Sequence, residues 1–220
     1  YCMYNITLVC THHSEFGKCN SDELYKIIES LRPDVIFEEL PQELFDLFYK
    51  ENKIPHEPPE VKSVKRYLKE HVINHIPVDI QPSSILLSND INYVFEAVGK
   101  YTLYSVLDKE QKQLVFQEGY DFLNSKKNEE IIEKKKTLER SLIQFNFNKN
   151  QLSRIFDLFY EEHHKRENEI IKNIYNYSKE TVYNQGLLLI GSGHRKTIFE
   201  KIKKYESESH VKLNWTLYGN

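Results

Sequence analysis

The fold is decided by residues 5–39, which read NITLVCTHHSEFGKCNSDELYKIIESLRPDVIFEE. The run at 5–11 is apolar and rich in β-formers, and the segment that starts at Ser21 carries leucine and isoleucine at helical spacing. Pro33 ends that helix, and residues 35–39 form a second apolar run. Strand, helix and strand in this order predict a β-α-β unit, which has parallel strands and a right-handed crossover.

The rest of the chain extends this unit and interrupts it once. Residues 92–180 are helical in pattern, with Glu and Lys at helical spacing, as at Glu130 and Lys134. We interpret this region as a helical cap or insertion, and the Lys134-Lys135-Lys136 run as its solvated face. The sequence thus predicts one α/β domain over residues 1–220, in which a mainly parallel central sheet is flanked by helices and the helical region precedes the late strands. Shorter patterns predict strands at 76–79, 187–190 and 211–217, helices at 43–50, 61–72 and 197–205, and a linker at 82–89.

Composition limits the class of protein. The chain has 220 residues, of which 40% are hydrophobic, so it is long enough to bury one core. A net charge of -3 excludes steering to nucleic acid or to an anionic membrane by bulk charge. No apolar run approaches the roughly 18 residues that span a bilayer, and the first residues lack the features of a signal peptide. We therefore expect no membrane segment, and a homo-oligomer or a place in a larger assembly stays open.

The cysteines indicate the compartment. Cys2, Cys10 and Cys19 are odd in number and show no CxxC spacing. Neither a disulfide framework nor a thiolate zinc site is suggested by this pattern. We therefore expect reduced thiols and a cytoplasmic location.

Polar side chains follow every predicted strand up to residue 194. His12-His13 follows the first strand, Glu38-Glu39 closes the second, Asp79 ends the third, and residues 191–194 follow the strand at 187–190. Ligands of open parallel sheets bind outside the carboxyl ends of the strands. Taken singly, such a histidine is commonly a surface residue and such a carboxylate a helix cap. Together they offer two imidazole and two carboxylate positions, which suit a divalent metal or a general acid/base pair.

A late helical pattern adds a cation to this set. At 100° per residue, His163 and Arg166 fall in the middle of an apolar stripe. In one interpretation Arg166 is a structural residue bonded to Glu162 or Glu167 at helical spacing. In the other it reaches the carboxyl ends of the strands and holds an anionic substrate group or a catalytic carboxylate. The apolar members of the stripe are Leu152, Phe156, Phe159, Ile170, Ile174 and Tyr177.

Gly191 and Gly193 stand between a strand and a helix, in a chain with only seven glycines. Backbone N–H groups at such a turn are able to bind the phosphate of a cofactor. The rest of the Rossmann and P-loop patterns is missing, however. The simpler interpretation is that both glycines permit a close backbone approach and a sharp turn that presents His194.

These motifs, taken in order, resemble the TraB/PrgY and TIKI group, which is usually joined with erythromycin esterase and the ChaN haem-binding proteins in one superfamily. The pattern of that group is G-x-x-H after strand one, Glu after strand two, Arg on a helix of the inserted region, and G-x-x-H after a late strand. The resemblance covers about half of the chain, and Cys10 stands where the first motif has glycine. It assigns the motif positions to His13, Glu39, Arg166, Gly191 and His194.

The resemblance implies a hydrolase that acts on a peptide or a small molecule. His13, Glu39 and His194 would hold a divalent metal or activate water directly, and Arg166 would stabilise the developing negative charge. One alternative is a binding module for a peptide or for haem, with His12, His13 and Tyr104 as axial or stacking groups. The other alternative is an interaction domain whose charged helical cap is the working surface.

Overall fold

The structure of this chain, a computed structural model, describes residues 4–84 and 89–219, so Cys2 and half of the linker predicted at 82–89 fall outside it. The strands are β1 (Tyr4–Thr11), β2 (Val35–Glu38), β3 (Asn74–Pro77), β4 (Gln185–Gly191) and β5 (Leu213–Leu217). The helices are α1 (Ser21–Leu31), α2 (Gln42–Tyr49), α3 (Pro59–Glu70), α4 (Asp90–Gly99), α5 (Thr102–Glu118), α6 (Tyr120–Leu123), α7 (Lys126–Ile143), α8 (Lys149–Glu180) and α9 (Arg195–Glu208), with a 3-10 turn at Ser192–His194.

All five strands are parallel and lie in the order β3-β2-β4-β1-β5. The two strands of the predicted β-α-β unit are therefore not neighbours, because β4 lies between them. The central strands are buried at nearly every position, and a sheet buried in this way is covered by helices on both faces. The predicted α/β fold with a mainly parallel sheet is confirmed.

The carboxyl ends of β1, β2 and β4 lie side by side. Thr11 is in register with Gly191, and Glu38 is in register with Leu189. The chain leaves β1 toward β2 in one direction along the sheet, and leaves β4 toward β5 in the other direction. Connections that diverge in this way open a crevice at the carboxyl ends of the strands. We refer to this edge of the sheet as the rim.

The third strand lies two residues earlier than its pattern indicated. Residues 76–79 were the predicted strand, whereas β3 is Asn74–Pro77. Its polar start is accommodated because the His75 ring bonds to the buried Glu38 carboxylate at 2.5 Å. Asp79 therefore lies beyond the end of the strand, so its side-chain direction is not fixed by the alternation of strand residues. The side chain is buried near the rim.

Helices α4 to α8 make up the predicted helical region, and α8 joins that region to the sheet. Leu152 and Phe156, in its first half, belong to an apolar cluster of the helical region. Ile170 and Ile174, in its second half, belong to the core that covers the sheet. The 32 residues of α8 thus pass through both apolar clusters. Neither α8 nor any other described helix is both long and apolar enough to cross a bilayer.

Candidate functional site

The structure brings the predicted residues together around the carboxylate of Glu39. This residue follows β2, and its Oε1 accepts a hydrogen bond from Arg166 Nη2 at 2.9 Å and lies 3.2 Å from His194 Nε2. Its Oε2 accepts the backbone N–H of Gly191 at 2.6 Å. Residues from the ends of two strands and from α8 therefore meet at one carboxylate. Burial alone would raise the pKa of Glu39, but His194, His13 and Arg166 outweigh it and hold the pKa well below its usual range.

Glu38 and Glu39 have different environments because successive residues of a strand point to opposite sides of the sheet. The Glu38 carboxylate accepts a hydrogen bond from Tyr49 Oη at 2.9 Å and lies 2.5 Å from His75 Nε2. Its contacts are with α2 and β3, and it does not contact Arg166 or His194. The assignment of the acidic position to Glu39 rather than Glu38 thus agrees with the contacts of the two side chains.

Arg166 bridges two carboxylates from different strand ends. Its Nε donates to both oxygens of Asp79, at 3.2 and 3.1 Å, and its Nη2 donates to Asp79 and to Glu39. Burial alone would lower the pKa of Arg166, but Asp79 and Glu39 outweigh it and raise the pKa. The alternative in which Arg166 pairs with Glu162 or Glu167 is wrong: α8 directs the guanidinium toward the rim, where the two buried carboxylates lie.

Arg166 also faces a cleft of about 450 Å³ at this edge of the sheet. Its Nη1 makes no hydrogen bond within the described part of the chain, so this nitrogen retains donors for a bound group. Glu39 and Asp79 line the same cleft. The other lining residues are Pro41, Glu43, Leu44, Leu47, Gln81 and Pro82.

His194 lies between two carboxylates. Its Nε2 faces Glu39, and its Nδ1 lies 2.7 Å from Glu167 Oε1. Glu167 is itself fixed by Thr197 Oγ1, which donates at 2.6 Å, and by Lys201 Nζ at 2.8 Å. Burial alone would lower the pKa of His194, but Glu39 and Glu167 outweigh it and raise the pKa to about 9. At neutral pH both ring nitrogens of this buried imidazole therefore carry protons.

His163 covers one face of His194, with ring centroids 4.7 Å apart and an interplanar angle of 24°. Burial and the neighbouring charges of His194 and Arg166 lower the pKa of His163 to about 3. His163 is thus a neutral ring stacked on a charged one. The sequence placed His163 in the apolar stripe of α8, but it gave no sign of this contact.

His13 is the predicted residue that solvent reaches. Its side chain is 66% exposed, and its Nδ1 lies 2.8 Å from Oε1 of the nearly buried Glu60. The hydrogen bond to Glu60 is the main cause that raises the pKa of His13, against the effect of burial. Glu60 lies in the first turn of α3, and its second oxygen has no hydrogen-bond partner in the described chain. Thr11 Oγ1 is likewise buried without a partner among the residues that the structure describes. Thr11 and Glu60 both line a cavity of about 30 Å³, the size of a water molecule or two.

Gly191 and Gly193, at the turn after β4, differ in how much space a side chain would have at each position. A Cβ on Gly191 would lie 3.0 Å from His13 Nε2 and 3.4 Å from Glu39 Oε2, whereas a Cβ on Gly193 would meet nothing within 4 Å. Neither glycine has a positive φ. The expectation that both glycines permit a close approach is therefore correct for Gly191 and wrong for Gly193, which lies in open space.

Gly191→Ala is expected to displace the His13 ring from Glu60, while Gly193→Ala leaves it in place. Because the Cβ meets the ends of movable side chains, the cost in stability is about 1 kcal/mol. The pKa of His13 should then fall toward 6.5 in the first variant. NMR titration of the histidine ring protons measures this value. Identical His13 titrations in the two variants would contradict the proposed contact.

The metal prediction concerns His13, Glu39 and His194. Nδ1 of each imidazole lies beside a carboxylate, as it does in metal-binding histidines. Nε2 of His194, however, lies 3.2 Å from Glu39 Oε1 and would have to lose its proton to bind an ion. The donor types therefore fit a divalent cation. Their ligand atoms do not all lie within 4.8 Å of one another. In the described part of the chain the group that meets this spacing is Glu29, Glu70 and His71.

Sequence reasoning missed three carboxylates as functional residues and misplaced two candidates. Asp79 was placed at the carboxyl ends of the strands but was given no role of its own, Glu167 was considered only as a helical partner of Arg166, and nothing in the sequence linked Glu60 to His13. Tyr104, proposed as a haem contact, donates from Oη to Glu139 at 2.7 Å in the helical region. His12 bonds to Ser14 and lines neither cavity at the rim. The structure therefore does not bring Tyr104 and His12 to the site that contains His13.

Comparison with known proteins adds little to this geometry. No protein-family model matches the chain, and no curated protein matches it. Among solved structures, the chain is similar to a protein from Bacillus cereus, with 13% identity and a TM-score of 0.39. The similarity covers 98% of this chain and 65% of the other, so this chain spans just under two thirds of that protein.

Proposed function

We propose that this protein is a hydrolase that cleaves an ester or amide bond of a peptide or small molecule at the rim. The observation that carries this proposal is the pair formed by His13 and Glu60. A solvent-exposed imidazole that is hydrogen-bonded through Nδ1 to a largely buried carboxylate has the arrangement of a general base. His13 and Glu39 line the same small cavity, and Glu39 is the carboxylate that holds Arg166 at the cleft. The order of these motifs along the chain, which resembles the TraB/PrgY and TIKI group, is consistent with such an activity.

In this mechanism His13 Nε2 accepts a proton from a water molecule as the water oxygen attacks the carbonyl carbon. Glu60 fixes the ring and stabilises the imidazolium that forms. The carbonyl oxygen gains negative charge, which Arg166 stabilises through its charge and its Nη1 donors. The tetrahedral intermediate then expels the leaving group, which takes the proton back from His13.

His194 and Glu39 position the charges of this site. Glu39 accepts from Arg166, His194 and the Gly191 N–H at once, so it fixes the middle of α8 against the end of β4. His194, protonated and held by Glu167, adds a second positive charge behind Glu39. We assign Glu39 and His194 to positioning in the metal-free form. If a divalent ion binds, His13, Glu39 and His194 would hold it, and the ion would supply a water of lowered pKa.

The test compares two adjacent histidines on a panel of activated esters and fluorogenic peptides. His13→Gln is expected to lower kcat/KM by at least about 100-fold, because it removes the general base. His12→Gln is the matched control, since His12 is the neighbouring residue and its ring is hydrogen-bonded to Ser14, two residues along the chain. It is expected to retain activity within about twofold of the parent.

Two results would contradict the proposal: no turnover of any member of the panel, or equal loss in the His13 and His12 variants. The metal-assisted form has its own readout. A divalent ion that binds at His13 should raise the Tm of the parent but not of His13→Gln. Unchanged Tm and unchanged activity with and without chelator would exclude the metal-assisted form and leave the metal-free one.

We also propose a cytoplasmic location. Cys10 and Cys19 are both free and buried, which suits a reducing compartment.

A further inference from the structure

A second cleft lies in the helical region, between α4, α5, α7 and α8. Its volume is about 630 Å³, which is in the range of small-molecule sites. None of His13, Glu39, Arg166 and His194 lines it, so it is distinct from the site at the rim. Its principal lining residues are Phe95, Tyr104, Asp108, Lys135, Glu139 and Tyr160.

Glu139 is a buried carboxylate at this cleft, with only 4% of its surface exposed. Its Oε1 accepts from Tyr104 Oη at 2.7 Å, and its Oε2 accepts from Tyr160 Oη at 3.4 Å. Within the described chain, no lysine, arginine or histidine nitrogen lies within 4.0 Å of these oxygens. A carboxylate has about four acceptor positions, and the two hydroxyls use two of them. A buried carboxylate without a cation carries a desolvation cost that an incoming cation would offset.

The lysines of the cleft are already paired with another residue. Lys135 Nζ lies 2.6 Å from Asp108 Oδ1, and Lys112 Nζ lies 2.7 Å from Asp108 Oδ2. Lys135 also donates to Gln111 at 3.0 Å, and its side chain is only 16% exposed. The interpretation of the lysine run as a solvated face is thus wrong for Lys135, because the residue points into the cleft. Both ammonium groups are thus engaged by Asp108, and neither lies within 4.0 Å of a Glu139 oxygen.

Aromatic rings complete the wall of the cleft. Phe95, Tyr104 and Tyr160 line it, and the faces of such rings attract cations. The attraction is visible in the chain itself: Lys135 Nζ lies 5.3 Å from the centroid of the Tyr104 ring, and Lys136 Nζ lies 4.0 Å from that of Tyr160. The lining carries three carboxylates against two lysines, with Glu96 as the third acid. Its charge and its rings therefore both favour a positively charged ligand.

We propose that this cleft binds a small organic amine, whose ammonium group pairs with the Glu139 carboxylate while its apolar part lies against the aromatic rings. Burial raises the pKa of Glu139 in the free protein, against the effects of Tyr104 and Lys135. An ammonium group would reverse this by favouring the charged carboxylate.

The test is calorimetric titration of the whole chain with three probes of the same shape and different charge. These are 2-phenylethylamine, its neutral analogue 2-phenylethanol, and phenylacetate. The amine is expected to bind at least about tenfold more tightly than the other two. Glu139→Gln should abolish this preference and leave the Tm unchanged or higher, because glutamine keeps the acceptor for Tyr104 and removes the buried charge.

Glu96→Gln is the matched control, since Glu96 lines the cleft but is exposed. It should weaken binding of the amine by less than about threefold, because an exposed charge contributes little. The proposal is wrong if the amine does not bind, if 2-phenylethanol or phenylacetate binds as well as the amine, or if Glu139→Gln and Glu96→Gln have equal effects. Loss of hydrolysis at the rim does not bear on this test, because the two sites share no residue.

Discussion

Replacing Arg166 with methionine is expected to lower the free energy of unfolding by about 3–5 kcal/mol. Methionine keeps the apolar stem but leaves Glu39 and Asp79 buried without their shared cation. The side chain of Asp79 is 1% exposed and that of Glu39 is 7% exposed, so the loss of the guanidinium leaves two largely buried charges poorly compensated. Urea denaturation measures the change as a lower midpoint at an unchanged m-value.

Arg140→Met is the matched control for this change. Arg140 pairs with Asp157 at 3.2 Å on the surface, where both side chains are about half exposed. A pair of this kind contributes about 0–1 kcal/mol. Adding Asp79→Asn to Arg166→Met should recover part of the lost stability, because it removes one of the unpaired charges. Equal losses in the Arg166 and Arg140 variants would show that the buried bridge does not hold the rim together.

The free energy of unfolding is expected to fall as the pH rises from about 6 to above 9, and His194 is the cause. The folded protein holds the proton of His194 with a pKa of about 9, against 6.5 for an unperturbed histidine. The stabilising contribution is therefore complete below pH 6.5 and is lost as the pH rises through about 9. At about 1.4 kcal/mol for each pKa unit, this contribution is on the order of 3 kcal/mol.

His194→Gln lacks this titration, so it should be much less stable than the parent at pH 6 and approach it above pH 9. Urea denaturation over this range gives the two curves. His210→Gln, at an exposed histidine of the same chain, is the control and should follow the parent. A constant difference between the parent and His194→Gln at all pH values would mean that His194 is not held in its charged form.

The elements that depend on local sequence pattern were predicted correctly. The spacing of apolar residues in 5–39 predicted β1, α1 and β2. Ligands of parallel sheets bind at the carboxyl ends of the strands, and on this basis His13, Glu39 and His194 were expected at one edge of the sheet. Strand order was beyond such patterns. Nothing local to β1 and β2 indicates that β4 is inserted between them, because that strand lies more than 140 residues further along the chain.

The sequence could not predict which residues pair with the charged side chains of the site. Arg166 has Glu162, Glu167 and Glu169 within about one helical turn, yet it pairs with residues 87 and 127 positions away. Helical spacing decides which residues are near on a surface, whereas burial decides which charges must be neutralised. Glu60 shows the same limit: it reads as an ordinary acid in the first turn of a helix, and only the fold places it against His13.

Tyr160 in the wall of the cleft of the helical region, His163 against His194, and Arg166 at the rim all belong to α8. Tyr160 and Arg166 are six residues apart, which is about 9 Å along a helix axis. A shift of this part of α8 would therefore alter the wall of the cleft and the Arg166 bridge at the same time.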